Sequence, residues 1–190
     1  MFAEVSDELA AQGAAEPDVV VIPVGVGAFA SAAVHHYKSQ DGSGPTPSLI
    51  GVEPATANCV LESIRAEHLV TVPGPHASIM AGLNCGTPSQ IAWPLVSRGL
   101  DAVIAVTDGW TELAMRELAD VGVVSGETGA ASLAGVSAVH QSSQTPQTWA
   151  ALGLHPDASV LLLSTEGATD PESWERIVGR EVPTTNEPTP

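Results

Sequence analysis

Four short stretches place apolar, mostly β-branched residues at successive positions with no polar alternation: 19–23 (VVVIP), 48–53 (SLIGVE), 102–107 (AVIAVT) and 159–165 (SVLLLST). Strands covered on both faces have this unbroken pattern, because neither face returns to water at every second residue. Between them lie alanine-rich stretches of helical character at 2–13, 29–39, 55–66, 89–98, 109–121, 127–141 and 171–179. Strand followed by helix, repeated, predicts an α/β fold with a doubly wound, mainly parallel sheet flanked by helices. Two helix starts carry capping chemistry: Asp108, with Glu112 in the same first turn, and Asp170 before Pro171. The segments 39–48 (SQDGSGPTPS) and 142–148 (SSQTPQT) are rich in turn formers and are expected to be linkers. The terminal EVPTTNEPTP, 181–190, is expected to be disordered. No internal repeat is visible.

Composition narrows the class. The chain has 190 residues and is 44% hydrophobic, enough for one domain with a packed core. Twenty-two acidic residues against six Lys and Arg give a formal charge of −16, which disfavours nucleic acid and anionic membrane partners. No apolar run reaches about 18 residues, and the first residues carry acids where a signal peptide carries bases, so a cytoplasmic chain is expected. Cys59 and Cys85 form neither a CxxC pair nor a spaced ladder, so both are expected to be buried thiols. The six histidines show no metal-ligand spacing. Asp108 reads as an N-cap.

The chemistry begins at Gly25-Val26-Gly27-Ala28-Phe29, directly after the first apolar run and before an alanine-rich helix. Glycines at such a strand-to-helix turn let backbone N–H groups approach an anion, and the helix dipole favours it. The stretch also fits the dinucleotide pattern GxGxx[G/A], with Glu53 ending the next strand where an acid could hold a ribose hydroxyl. A tight turn with no ligand is the plain alternative.

Four further segments follow in order: GVEPATANCVLESI (51–64), SIMAGLNCGTPSQIAWPLV (78–96), VSGETGAASLAG (124–135) and VLLLSTEGATD (160–170). With the glycine loop they closely resemble the C-terminal half of fold-type II pyridoxal-phosphate enzymes, the diaminopropionate ammonia-lyases in particular. The glycine loop, GVEP and the serine ending the last strand carry the general resemblance; IMAGLNCGTPS, SGETGA and LSTEGATD carry the specific one. It spans residues 1–180 and implies that they form the C-terminal portion of a tryptophan synthase β-like catalytic domain. It further implies pyridoxal 5'-phosphate as cofactor, with its phosphate on the N–H groups of Gly25, Val26, Gly27, Ala28 and Phe29. Ser164, or the adjacent Thr165, would face the pyridine nitrogen. A neutral hydroxyl there leaves that nitrogen largely unprotonated. Glu127 is a candidate for the cofactor pocket, or simply complements a helix dipole. Glu53 either enters the crevice or caps the next helix. The segment around Asn84 and Cys85 has too many small residues for a regular helix and is expected to be an irregular loop near the substrate, with Cys85 a core residue rather than a nucleophile.

The reaction implied by the resemblance is α,β-elimination of 2,3-diaminopropionate to pyruvate and ammonia. Such enzymes hold the cofactor on a lysine. The sequence contains one, Lys38, about ten residues past Phe29, so about 15 Å of helical rise carries it from the loop. The family's lysine segment and its acid–base residues belong to an N-terminal half with no counterpart in this sequence. No catalytic residue is therefore assigned, and the chain alone is expected to be inactive. The expected partners are a small amino-acid substrate, a separately encoded N-terminal half and a second copy in a dimer. The competing readings are a non-catalytic phosphate-binding or interaction domain and, more remotely, a nicotinamide-dependent dehydrogenase fragment.

Overall fold

The computed structural model describes residues 1–39, 46–141 and 145–183. Parts of both expected linkers and residues 184–190 of the tail lie outside them. Four parallel strands form one sheet in the order β3-β2-β1-β4. They are β1 (Val19–Pro23), β2 (Ser48–Pro54), β3 (Ala102–Val106) and β4 (Val160–Leu162). β1 lies between two neighbours, Val21 opposite Ile50 on one side and opposite Leu162 on the other, and all five of its residues are buried. This is the arrangement its unalternating sequence required.

Among the described residues eight α-helices accompany the sheet: α1 (Phe2–Ala11), α2 (Ala28–Lys38), α3 (Cys59–Ala66), α4 (Trp93–Gly99), α5 (Asp108–Asp120), α6 (Glu127–His140), α7 (Thr145–Ala151) and α8 (Pro171–Val178). They make two apolar cores. Val20, Ile22 and Leu49 pack with Ala30, Ala33, Val34 and Val96. Val19, Val21, Ile50 and Val52 pack with Ala130, Ala131, Ala134 and Trp174. Alternate residues of β1 thus feed opposite cores, as strand geometry demands. α6 lies hard on the sheet, and a β-carbon on Gly135 would come within 2.5 Å of Val52 Cγ2. Buried Ser132 sits on the same helix, its Oγ 3.1 Å from the Val21 carbonyl and 2.9 Å from that of Leu163.

Several boundaries differ from expectation. β4 ends at Leu162 rather than 165; the Leu163 N–H still reaches the Val21 carbonyl, after which the chain leaves the sheet. α3 begins at Cys59 rather than 55 and α4 at Trp93 rather than 89, each after a turn. Thr145–Ala151, partly assigned to a linker, is α7. Asp170 is an N-cap as expected, its carboxylate accepting from Ser173 N–H at 3.1 Å. Asp108 is not: Thr107 occupies that position, and the Asp108 carboxylate is drawn elsewhere by Ser78.

Candidate functional site

Strands β1, β2 and β3 progress in one direction across the sheet, and β4 then lies on the other side of β1. The order reverses between β1 and β4, and in open parallel sheets the crevice beyond the carboxyl ends of such strands is where ligands bind. A cavity of about 520 Å³ opens there, within the range of small-molecule sites. One wall is the run Pro23–Ala30; the other comprises Leu163, Ser164 and Thr165; Gly82, Leu83, Cys85 and Thr128 close the third side.

The first wall has the backbone features that suit an anion. Gly27 holds φ +89°, a left-handed conformation that suits glycine, and starts α2 with no side-chain cap. The first intrahelical acceptor is the Gly27 carbonyl, taken by Ser31 N–H at 2.8 Å. The N–H groups of Ala28, Phe29 and Ala30 precede it and have no partner within the helix. All three residues line the cavity, and the positive end of the helix dipole lies with them. Gly25 is held close on its other side: a β-carbon there would lie 3.2 Å from both Cys85 Sγ and the Gly82 carbonyl.

The irregular segment after Pro75 forms as expected, with one 3₁₀ turn at Ala81–Leu83. Asp108 anchors it, accepting from Ser78 Oγ at 2.6 Å and Ile79 N–H at 3.3 Å. Asn84 clamps the same turn, its Oδ1 accepting from Ser78 N–H and its Nδ2 donating to the Ser78 carbonyl. Gly82 N–H donates to Thr128 Oγ1 on the first turn of α6. Asn84 is therefore a clamp within the loop, while Gly82, Leu83 and Cys85 face the cavity.

The second wall pairs with the start of α6. The Ser164 hydroxyl lies 2.9 Å from that of Ser125, which is fully buried. Glu166 accepts from Thr128 N–H at 2.8 Å, and its carbonyl accepts from Gly126 N–H. Glu127 is not among the lining residues; its Oε1 accepts from Ser173 Oγ at 2.5 Å, tying α6 to α8. Of its two expected roles, its place in the first turn of α6 fits the complement to the helix dipole, and it is not part of the cavity wall. Sequence reasoning passed over Ser125 and Glu166, although both lie inside the quoted segments.

Glu53 resolves in favour of capping. Its two carboxylate oxygens accept from Val60 N–H and Leu61 N–H, each at 2.8 Å, at the start of α3. It is fully buried, and burial raises its pKa to about 7 against the pull of those two donors. Turned to α3 and fully buried away from the cavity lining, it is out of reach of a ribose, which removes the acid the dinucleotide pattern needs. Burial, then the charge of Glu53, raises the Cys59 thiol to about 12, so it stays protonated. Cys85 is half-buried rather than buried, and desolvation raises its pKa too. Both shifts disfavour the thiolate, the nucleophilic form. Lys38 is on the last turn of α2 and donates to Asp101 Oδ2 at 2.9 Å and to the Pro47 carbonyl at 3.0 Å; it is not among the cavity's lining residues.

Comparisons with known proteins match this geometry. Residues 2–157 match the family described as "Pyridoxal-phosphate dependent enzyme". The diaminopropionate ammonia-lyase of Escherichia coli K12 is 35% identical over 167 residues, covering 85% of this chain and 42% of the relative. That of Salmonella typhimurium is 33% identical over 187 residues, covering 92% of this chain and 45% of the relative. The crystal structure of the holo enzyme from Escherichia coli superposes with a TM-score of 0.80 at 31% identity, over 93% of this chain and 44% of that one. The chain thus spans less than half the length of these relatives. Among the described residues no helix is long and apolar enough to cross a membrane.

Proposed function

The chain belongs to the pyridoxal-phosphate-dependent enzymes, and on that premise we propose that its cavity holds the cofactor non-covalently, as the C-terminal part of a diaminopropionate ammonia-lyase. The uncapped N-terminus of α2, opening into a cavity that also presents Ser164, carries this reading. The N–H groups of Ala28, Phe29 and Ala30, without a partner among the described residues, and the close-packed glycines suit a phosphate; a hydroxyl donor on the opposite wall suits a pyridine nitrogen. When bound, pyridoxal phosphate supplies a ring that draws negative charge away from the α-carbon of an amino acid, favouring elimination of a β-substituent.

Each residue has a part in that assignment. Gly25, Val26 and Gly27 shape the approach to the phosphate, and the first turn of α2 binds it. Ser164 faces the ring nitrogen; its pairing with Ser125 favours it over Thr165. Gly82 and Leu83 wall the cavity against water. Glu127 is left out of the cradle and holds α8. The lyase activity on 2,3-diaminopropionate, with pyruvate and ammonia as products, is proposed for an assembly in which another polypeptide contributes the lysine and the acid–base groups. A homodimer of the completed enzyme and a cytoplasmic location belong to the same proposal, as does a place in amino-acid catabolism.

A second reading has its own support. Lys38 is engaged by Asp101 and Pro47, so among the described residues no lysine amine lines the cavity for covalent attachment. A non-catalytic domain that binds pyridoxal phosphate or a similar phosphate ester shares this feature. Absorbance titration with pyridoxal phosphate, followed by borohydride and peptide mapping, tests the proposal. Saturable binding that inorganic phosphate displaces, with no adduct on Lys38, is the expected result. Absence of binding, or a borohydride-fixed adduct on Lys38, overturns it. Addition of a polypeptide carrying the lysine segment then separates the two readings, since only a partial enzyme gains activity.

A further inference from the structure

Ser164 carries one hydroxyl hydrogen, and a ring nitrogen can use it only if nothing else does. Its neighbour in the structure is the Ser125 hydroxyl at 2.9 Å, and either oxygen of that pair can donate. If Ser164 donates to Ser125, its hydrogen is withdrawn from the cavity, and Ser125 must turn its own hydrogen to the Gly126 carbonyl. That acceptor is 3.3 Å away, longer than a good O–H···O bond. If Ser125 donates to Ser164 instead, the shorter bond is made, and the Ser164 hydrogen is left to point into the cavity that this residue lines.

We propose that Ser125 is a positioning residue: its buried hydroxyl donates to Ser164 and so presents the Ser164 hydrogen to an unprotonated ring nitrogen. The inference rests on the cofactor reading above and extends it to a residue that touches no ligand. The surroundings hold the pair in place. Trp174 Nε1 donates to the Ser125 carbonyl at 3.1 Å, fixing the backbone from α8. Gly129 leaves the space the pair fills, since a β-carbon there would come within 2.6 Å of Ser125 Oγ and 2.8 Å of Ser164 Oγ.

Binding of three probes to the 190-residue chain tests this: pyridoxal phosphate, its 1-deaza analogue with C–H in place of the ring nitrogen, and inorganic phosphate. The wild-type chain is expected to prefer pyridoxal phosphate to the deaza analogue, and Ser164→Ala to erase the preference. Ser125→Ala is expected to reduce it at least about threefold, the scale of one hydrogen bond, with inorganic phosphate binding unchanged. Ser125→Cys, close in shape but a weak donor, gives the same readout should the alanine variant fail to fold. A wild-type preference retained in both Ser125 variants overturns the inference and leaves the cofactor reading standing. Parallel loss of inorganic phosphate binding marks Ser125 as merely structural and overturns it as well. If the wild-type chain does not bind pyridoxal phosphate, the cofactor reading fails, and this inference falls with it.

Discussion

Gly129 has no room for a β-carbon, which would meet Ser125 Oγ, the Glu166 carbonyl and Ser164 Oγ all within 2.8 Å. Gly129→Ala is therefore expected to cost about 1–3 kcal/mol through overpacking and to weaken pyridoxal phosphate binding. Urea unfolding and the absorbance titration measure the two effects; an unchanged midpoint would show that the wall yields. Glu53 makes a pH prediction. Its folded pKa of about 7 exceeds the ordinary 4.5, so between those values the folded chain holds a proton that the unfolded chain has released. The contribution is present in full below the ordinary value and is lost as pH rises through about 7, a loss of about 3 kcal/mol. Glu53→Gln cannot titrate, so its stability relative to wild type should rise by about that amount between about pH 4 and about pH 8, as measured by urea unfolding. A constant difference would mean that Glu53 keeps its ordinary pKa in the folded chain. The glycine turn and its place in the cavity wall were legible because glycine positions and a helix start are local signals. The Ser125–Ser164 pair was not, since it joins residues 39 apart that only the fold brings together.

At the scale of elements, the loop that closes the cavity depends on a carboxylate at the start of another helix. Asp108→Ala removes acceptors for Ser78 Oγ and Ile79 N–H, with an expected loss of about 1–2 kcal/mol. The local consequence is sharper: amide exchange across Ile79–Leu83 should accelerate about tenfold or more, while β1 exchange changes only by the global loss. Unchanged exchange in that segment would mean that Asn84 and Thr128 suffice to hold it. This anchor explains one failure of sequence reading. An acid opening a helical stretch is locally an N-cap, but a distant Ser78 competes for the same oxygens and wins, leaving Thr107 at the cap position. By contrast Asp170 met no competitor and caps α8 as its sequence implies. The strands were legible for a similar reason: β1 and β2 are buried over nearly their whole apolar runs, and β3, at the sheet edge, is half-buried along its run and buried at Val106. β4 stops three residues short of its apolar-rich run because Leu163, Ser164 and Thr165 leave the sheet to build the cavity wall.

For the whole molecule, two opposing surface properties set its behaviour in solution. The formal charge of −16 repels a second copy, and this repulsion reaches about 30 Å at ~0.01 M salt but only about 3 Å at ~1 M. Against it stand apolar side chains left in water: Ile91 is 92% exposed, and Leu95 and Val26 are also exposed. Ile91 and Leu95 lie on the turn and helix that follow Ser89, whose N–H donates to the Val26 carbonyl, so the three belong to connected segments beside the cavity. Large exposed apolar residues grouped on adjoining segments favour association once charge repulsion is screened. Sedimentation velocity across that salt range is therefore expected to show a shift from monomer towards dimer or larger species. Ile91→Ser with Leu95→Ser should suppress the shift without changing net charge, and inorganic phosphate binding should stay the same because neither side chain lines the cavity. If the double variant associates as the wild type does, the contact lies elsewhere, with Val121 and Val123, at 75% and 42% exposed, the next surface to change. Addition of a complementing polypeptide makes the alternatives exclusive. Should it bind beside the cavity, wild-type self-association must fall as the heterodimer forms; two independent equilibria would show that the apolar segment serves a second copy of this chain and not the added polypeptide.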